Sequence, residues 1–147
     1  MLSFIGDYVC KLDAKGRLVV PVAFRKEMQG EEGCSFVLRR SIFDECIDVY
    51  PKGEWERLVG DLRSKVSRFN GEHARFMRAF FQGVVEVEVD GNGRILVPRK
   101  MLDEAGIGAE AVMVGLDAKI ELWERGRYEK NAMSKDEFLR LTQKLGL

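Results

Sequence analysis

The chain has few cysteines, a single histidine, no long hydrophobic run and no excess of charge of either sign. Cys10, Cys34 and Cys46 are odd in number and widely spaced, and no two of them form a Cys-x-x-Cys pair. This spacing excludes a disulfide framework and a zinc knuckle. His73 stands on the apolar side of a helical stretch, where we expect a core or boundary role rather than metal binding or catalysis.

Signals for membrane insertion, export and catalysis are missing as well. The longest stretch without a polar residue, Leu18 to Phe24, is far shorter than a membrane span. The opening Met-Leu-Ser-Phe-Ile-Gly-Asp has no basic region, apolar stretch or cleavage site, so we expect a cytoplasmic protein. No phosphate loop or nucleophile elbow is written in the chain, and Glu86 and Glu88 alternate along a strand without an evident partner. We therefore predict that the protein is not an enzyme and has no cofactor or metal.

The overall charge initially argues against a nucleic-acid partner. The 147 residues carry 24 Lys and Arg against 24 Asp and Glu, whereas DNA-binding domains usually have an excess of basic residues. The hydrophobic fraction of 46% is enough to form the core of one or two compact domains.

An internal repeat is the strongest feature of the sequence. Residues 4–21 read FIGDYVCKLDAKGRLVVP, and residues 81–98 read FQGVVEVEVDGNGRILVP. At an offset of 77, seven of these eighteen positions are identical, where chance alone gives roughly one. The identical pairs are Phe4/Phe81, Gly6/Gly83, Asp13/Asp90, Gly16/Gly93, Arg17/Arg94, Val20/Val97 and Pro21/Pro98. The chain therefore contains a duplicated unit.

The similarity extends beyond this motif. Phe36-Val-Leu aligns with Val112-Met-Val, and IDVYPKGEW from Ile47 aligns with IELWERGRY from Ile120, with a short insertion at 39–43 in the first copy. Each copy is typical of strand, turn, strand, short helix, strand, strand, because apolar residues alternate and Asp and Gly mark the turns. One copy is too small to bury both faces of its hairpins, so we predict that the two copies pack about a pseudo-two-fold axis into one barrel-like core.

Helical segments follow each copy. Trp55, Leu58, Val59, Leu62, Val66 and Phe69 recur at helical spacing. Asn70-Gly71 ends that run, and a second helix begins at about Glu72. Ser134-x-x-Glu137 is a capping box that opens a final helix. We expect a first module at 4–52, a helical connector at 53–80, a second module at 81–125 and a C-terminal helix at 126–147.

The paired Asp-x-x-x-Arg turns, each followed by an apolar strand and a proline, closely resemble the MraZ family, whose chains carry two tandem modules of the SpoVT-AbrB type. The resemblance covers nearly the whole chain. It implies an α+β, mainly β fold of swapped hairpins. It also implies a transcriptional regulator, a repressor of the division and cell-wall gene cluster containing its own gene. Such a protein binds short direct repeats in double-stranded DNA as a ring-shaped homo-oligomer, and is associated with the nucleoid.

The resemblance assigns DNA binding to the two turns, and local charge agrees with it. Residues 11–26 hold five basic residues and one acidic residue, giving +4, and residues 90–100 hold three and one, giving +2. The expected DNA-binding residues are Lys15, Gly16, Arg17, Asn92 and Arg94, with Lys11, Arg99 and Lys100 as weaker candidates. Asp13 and Asp90 are expected to shape the turns. Lys15 has no basic counterpart, because Asn92 takes its place.

Other interpretations stay open at this point. Arg17 and Arg94 could form only local ion pairs with Asp13 and Asp90. The helices around Asn70-Gly71, with six basic residues between 57 and 78, could form a helix-turn-helix, although a helical pair linking the modules fits the pattern better.

The aromatic residues and the oligomer itself also allow a second interpretation. Tyr50, Trp55, Trp123 and Tyr128 could form a base-stacking platform, although their duplication among apolar residues favours packing. The whole molecule could be a protein-interaction scaffold, or an antitoxin-like module, that binds no DNA.

Overall fold

The computed structural model describes residues 2–30 and 34–147. The first copy contains β1 (Phe4–Lys11), β2 (Arg17–Val19), α1 (Val22–Glu27), β3 (Ser35–Arg40) and β4 (Ile47–Pro51), followed by α2 (Lys52–Lys65) and α3 (Gly71–Phe81). The second copy contains β5 (Val85–Glu88), β6 (Arg94–Leu96), α4 (Arg99–Ala105), β7 (Glu110–Asp117) and β8 (Lys119–Trp123), followed by α5 (Arg125–Lys130) and α6 (Lys135–Lys144). Both copies have the same order of elements, which confirms the predicted repeat and the α+β class.

Each copy contributes its first strand to the other copy. β1 pairs antiparallel with β7, and β5 pairs antiparallel with β3, so one six-stranded sheet has the order β1-β7-β8-β4-β3-β5. β2 and β6 form a separate two-stranded antiparallel sheet. The exchange agrees with the swapped hairpins that the resemblance implies. The strands of the described residues form these two sheets around a shared core instead of one closed barrel.

The pseudo-two-fold axis passes through two pairs of equivalent residues. In the two-stranded sheet Leu18 lies opposite Ile95, its counterpart at the repeat offset. In the six-stranded sheet Asp48 lies opposite Glu121, which is its counterpart in the aligned segments IDVY and IELW. Because a residue faces its own counterpart only on the axis, the two copies are related by one rotation that runs through both sheets.

The register of the outer strands corrects the sequence alignment by one residue. Lys11 pairs with Glu110, and the equivalent Glu88 pairs with Ser35, so Ser35 is the counterpart of Glu110. Phe36-Val-Leu is therefore equivalent to 111–113 and not to the predicted Val112-Met-Val. A shift of one residue reverses the side of the sheet on which every side chain lies.

The core lies between the two sheets and under the short helices. Phe4 and Phe24 meet edge to face with ring centroids 5.5 Å apart, and Leu18 and Ile95 close the core from the two-stranded sheet. The thiol of Cys10 is buried there, as a small apolar side chain would be, and burial raises its pKa to about 11. This core fixes the strands that carry the two repeated turns.

The helical connector consists of two helices, as the sequence predicts, but its first helix is shorter than expected. α2 ends at Lys65, Val66 is extended, and Phe69 is 98% exposed in the loop, so the periodicity continues past the end of the helix. Asn70 caps α3 by accepting hydrogen bonds from two backbone N–H groups. His73 is half-buried at the start of α3, where its Nδ1 accepts a hydrogen bond from the backbone N–H of Ser67 over 2.9 Å.

The C-terminal segment holds two helices instead of the single helix expected for 126–147. α5 and α6 are separated by residues 131–134, and Ser134 accepts a hydrogen bond from the backbone N–H of Glu137, as the capping box predicts. No helix in the described part of the chain is long and apolar enough to cross a membrane.

Candidate nucleic-acid interface

The first repeated turn is held by the carboxylate of Asp13. Its Oδ1 accepts hydrogen bonds from the backbone N–H groups of Lys15, over 3.0 Å, and Arg17, over 2.9 Å. Its Oδ2 accepts a third hydrogen bond from Nε of Arg17 over 2.8 Å. The local ion pair considered for Arg17 is therefore present, and within the described residues it occupies Nε and leaves the two terminal nitrogens of the guanidinium without a hydrogen bond.

The second turn has the same backbone geometry with a looser arginine. Oδ1 of Asp90 accepts hydrogen bonds from the backbone N–H groups of Asn92 and Arg94 over 2.8 and 2.9 Å. Nε of Arg94 lies 3.4 Å from Oδ2 of Asp90 without a hydrogen bond, and its Nη1 lies 3.9 Å from Oδ2 of Asp13 in the other copy. Asp13 therefore attracts both arginines, whereas Asp90 attracts only its own.

Backbone hydrogen bonds hold both turns in these positions, and they depress the pKa of both aspartates. The backbone N–H of Arg17 is the main cause for Asp13, and the backbone N–H of Arg94 is the main cause for Asp90. The attraction of each arginine side chain lowers the same pKa further. Both carboxylates are thus fixed in the charged form that shapes the turn.

The two turns lie at opposite ends of the β2–β6 ribbon, on either side of the axis. The backbone N–H of Val97 donates to the carbonyl of Gly16, and the backbone N–H of Val20 donates to the carbonyl of Gly93, both over 2.9 Å. Each turn is therefore joined to the opposite copy. The duplication brings the two predicted sites into one surface.

The outward face of the ribbon carries two arginines and two aliphatic side chains. Arg17 pairs in register with Leu96, and Val19 pairs with Arg94, while Leu18 and Ile95 point into the core. We call Arg17, Val19, Arg94 and Leu96 the ribbon face. A two-stranded antiparallel ribbon of this kind fits into the major groove of B-form DNA.

Two exposed side chains of the ribbon face, Val19 and Leu96, are not among the residues predicted from the sequence. Each lies in an apolar run before a proline, which is typical of a buried strand, yet Val19 is 47% exposed and Leu96 is 53% exposed. The available signal is the alternation of a strand, because the neighbouring Leu18 and Ile95 must point inward.

Different side chains support the two turns from below. A Cβ added to Gly16, whose φ is +88°, would lie 2.7 Å from the carbonyl oxygen of Val97 and 3.3 Å from Leu102. A Cβ added to Gly93, whose φ is +74°, would lie 2.7 Å from the guanidinium of Arg25. Arg25 and Leu102 are counterparts at the repeat offset. The first turn therefore rests on a backbone carbonyl and a leucine, and the second rests on a guanidinium whose Nε donates to the carbonyl of Val20 over 3.0 Å.

The remaining predicted residues divide between the ribbon and other surfaces. Lys15 and Asn92 are exposed at equivalent places in the two turns, and Lys11 is exposed at the end of β1. Arg99 crosses from the second copy and donates to the backbone carbonyl of Ala14 over 2.8 Å, so it braces the first turn. Lys100 instead lines a cavity between α3 and α4.

The aromatic residues of both copies pack against the protein. The rings of Tyr50 and Trp55 have centroids 5.8 Å apart at an angle of 53°, and those of Trp123 and Tyr128 are 5.8 Å apart at 52°. Trp55 also stacks on the buried ring of Phe80 in α3. This repeated packing agrees with the structural interpretation of the aromatic residues. It also joins α2 and α3 to the outer face of the six-stranded sheet.

One group of side chains on the outer face has the composition of a metal site. Cys46, Asp48 and Glu121 offer ligand atoms within 4.8 Å of one another. Nζ of Lys119 already lies 2.9 Å from Asp48 and 3.5 Å from Glu121, so an ammonium group takes the cation position. Burial and the nearby carboxylate of Glu121 raise the pKa of Cys46 to about 12, which keeps the thiol protonated at neutral pH.

Lys119 is held in the charged form by its neighbours. Burial opposes the charge, but the hydrogen bond and the attraction of Asp48 outweigh it, and the pKa of Lys119 is raised. The carboxylates of Asp48 and Glu121 also accept one hydrogen bond each from an aromatic side chain. Tyr50 donates to Asp48 over 3.3 Å, and the indole N–H of Trp123 donates to Glu121 over 2.9 Å. This cluster is a closed ionic network across the axis.

Comparison with known proteins identifies relatives of the chain over most of its length. Residues 3–79 and 80–143 each match the family model described as "MraZ protein, putative antitoxin-like". The chain is 38% identical over 146 residues to "Transcriptional regulator MraZ" of Christiangramia forsetii, which covers 99% of the chain and 94% of the relative.

Two further relatives have the same name. The protein of Bacteroides thetaiotaomicron is 36% identical over 138 residues, covering 94% of the chain and 88% of the relative. That of Clostridium acetobutylicum is 38% identical over 134 residues, covering 90% of each. The relatives are named transcriptional regulators, a non-enzymatic role, which confirms the prediction that the chain is not an enzyme.

Proposed function

The chain belongs to the MraZ family, and we propose that it is a sequence-specific DNA-binding repressor of transcription. Its target is the division and cell-wall gene cluster that includes its own gene. It binds short direct repeats in double-stranded DNA as a ring-shaped homo-oligomer, and it acts at the nucleoid in the cytoplasm. The names of its relatives support a role in transcription, and the ribbon face supports DNA as the partner.

The observation that carries this proposal is that two arginines, Arg17 and Arg94, lie on the same exposed face of one ribbon. Arg17 and Arg94 are 36% and 27% exposed at their side chains, and their backbones are fixed by the aspartates of the two turns. A fixed guanidinium makes bidentate hydrogen bonds to a guanine edge or a phosphate at little conformational cost. Val19 and Leu96, beside them, offer apolar contact to thymine methyl groups.

The first turn is the principal DNA element in this proposal. Arg17 binds a base edge or phosphate through its terminal nitrogens, Lys15 binds a phosphate, and Gly16 lets the backbone come close to the DNA. Asn92 and Arg94 serve a second contact or support the first. Asp13 draws Arg94 towards the first turn, which concentrates positive charge there.

The zero net charge is compatible with this function if the protein is oligomeric. A single ribbon face makes few phosphate contacts, so one subunit alone binds DNA weakly. In a ring every subunit presents one ribbon face, and several weak contacts to successive direct repeats in the DNA combine into a strong attachment. Neutrality of the remaining surface limits binding to unrelated DNA.

The test is a mobility-shift assay with the full chain on DNA from upstream of its own gene. Arg17→Ala should abolish the specific shift, because each bidentate base contact contributes about 1–3 kcal/mol and the loss recurs in every subunit. Lys130→Ala removes the same charge from an exposed position in α5 and serves as the control. Unchanged affinity of Arg17→Ala, with assembly intact, would overturn the assignment of the ribbon face.

Salt dependence separates this function from a protein-interaction scaffold or an antitoxin-like module. Binding through phosphates makes the affinity fall steeply as salt concentration rises. A flat salt response, or no shift of promoter DNA at any salt concentration, would favour the scaffold.

A further inference from the structure

The structure has an open groove between the two copies that the DNA-binding role does not use. Its volume is about 510 Å³, in the range of sites that accept a ligand or a row of side chains. The buried side chains of Phe80 and Met101 form its floor. Its exposed apolar side chains are Phe76, which is 49% exposed, and Ile42, which is 63% exposed. The groove therefore offers apolar surface to a partner.

The groove also carries positive charge without a carboxylate partner among the described residues. Arg40 is neutralised by an ion pair with Glu104 on the same wall. Arg39 donates to the carbonyl of Phe80 and lies over its ring, 4.2 Å from the centroid, and it forms no ion pair within the described part of the chain. Lys100 on α4 is exposed and likewise forms none there. An occupant with an acidic residue beside an apolar stripe would complement this wall.

Helix α6 has that pattern, and its apolar face is open. Phe138, Leu141 and Leu145 follow the spacing i, i+3, i+7, which places them on one face of the helix. None of the α6 side chains is fully buried: Phe138 is 64% exposed, Leu145 is 72% exposed and Leu141 is half-buried. Glu137 precedes Leu141 by four residues and so lies beside this stripe. A helix that leaves an apolar face in water lacks its packing partner.

We propose that α6 of one subunit docks in the groove of a second subunit, that is, of another molecule of the same chain. The apolar stripe covers Phe76 and Ile42, and Glu137 pairs with Lys100. The two surfaces differ, so each subunit offers one groove and one helix, and the contact runs head to tail. Such contacts close into a ring when the rotation between copies is suitable. This inference rests on the oligomer of the proposed function and assigns the surfaces that build it.

The first experiment mixes two variants of the full chain, each with one surface disabled. Phe76→Asp damages the groove at an exposed position, and Phe138→Asp damages the helix. Each variant alone should be monomeric by light scattering after gel filtration. An equimolar mixture should contain a dimer of one copy of each variant, because one intact groove and one intact helix remain.

Matched controls separate docking from a general effect of added charge. Phe69→Asp alters a side chain that is 98% exposed in the loop between α2 and α3. Leu139→Asp alters α6 outside the apolar stripe. Both controls should assemble as the unaltered chain does, and circular dichroism should show that all four variants are folded.

A charge exchange tests whether the partner is this chain. Lys100→Glu and Glu137→Lys should each weaken assembly about tenfold, and the combined variant should recover it. Asp136→Lys makes the same change in charge on the side of α6 that faces away from the apolar stripe, and it should have little effect. Recovery in the combined variant is expected only when both residues face each other across copies.

Each failure has a separate meaning. Normal assembly by Phe76→Asp and Phe138→Asp overturns the docking of α6 but leaves the ring in place. A monomeric unaltered chain that still shifts promoter DNA overturns both the docking and the ring, and leaves DNA binding in place. Dissociation without a dimer in the mixture overturns the head-to-tail contact and favours another occupant of the groove.

Discussion

The two repeated turns share their backbone and differ in the side chains around it. In both, an aspartate accepts hydrogen bonds from two backbone N–H groups and a glycine adopts positive φ. The first turn presents Lys15 and rests on Leu102, and the second presents Asn92 and rests on Arg25. The Asp-x-x-Gly-Arg pattern therefore determines the shape of the turn, whereas the positions within and beneath it are free to differ.

The largest expected difference between the turns concerns their glycines. Gly16→Ala should lower the free energy of unfolding by about 3–4 kcal/mol, because positive φ costs about 1–2 kcal/mol and the new Cβ meets a backbone carbonyl. Gly93→Ala should cost about 2–3 kcal/mol, since Arg25 is a side chain that can move aside, but only by giving up the hydrogen bond from its Nε to the carbonyl of Val20. Urea unfolding of both variants measures this difference. Equal losses would show that the two supports are equally rigid.

An exchange of Lys15 and Asn92 tests which turn is the main DNA contact. Lys15→Asn should weaken operator binding about tenfold and reduce the salt slope by about 1 per bound copy. The double variant Lys15→Asn/Asn92→Lys keeps the net charge, and its affinity should stay below that of the unaltered chain. Titration at several salt concentrations provides both quantities. An affinity equal to that of the unaltered chain would make the two turns equivalent.

A double-mutant cycle isolates the support of the second turn. Gly93→Ala made in an Arg25→Ala background should cost about 1 kcal/mol less than in the unaltered chain, because the crowding of the guanidinium is gone. The matching cycle of Gly16→Ala with Leu102→Ala should show a smaller coupling, since the closest contact of Gly16 is with backbone. Additive effects at Gly93 would contradict the contact with Arg25.

The smallest expected effect is the pH dependence of the turns. Because the pKa of Asp13 and that of Asp90 are lowered in the folded chain, their contribution is complete above the ordinary value of 3.8. It is lost as the pH falls through the lowered values. Asp13→Asn should remove part of this dependence, measured as unfolding free energy between pH 5 and 2. A stability that rises on acidification would contradict the assigned sign.

Much of the ribbon could be predicted from the sequence, because its geometry is encoded locally. An aspartate four residues before an arginine, with glycine between them, determines the turn, and the repeat indicates that there are two of them. The exchange of strands between copies is not a local property, since β1 pairs with a strand about a hundred residues away. It came from the family resemblance alone.

Three features were predicted wrongly or missed for the same reason. A run of apolar residues does not show where a strand or helix ends, or which of its side chains point inward. Phe36-Val-Leu and Val112-Met-Val are apolar at every position, so the alignment can shift by one residue without losing similarity. The apolar run ending in Phe69 continues at helical spacing although α2 stops at Lys65. Val19 and Leu96 are apolar but exposed, because they lie on the outer face of a ribbon that has only two strands.

The ionic network on the axis bears on how the duplicated chain could have arisen and whether it can be undone. Two identical first copies would set Asp48 opposite a second Asp48, with cysteine in place of Lys119, and two buried carboxylates would repel each other without a cation. One lysine shared by two acids is a network of unlike halves, so the first unit depends on the second for the cation that its buried Asp48 needs.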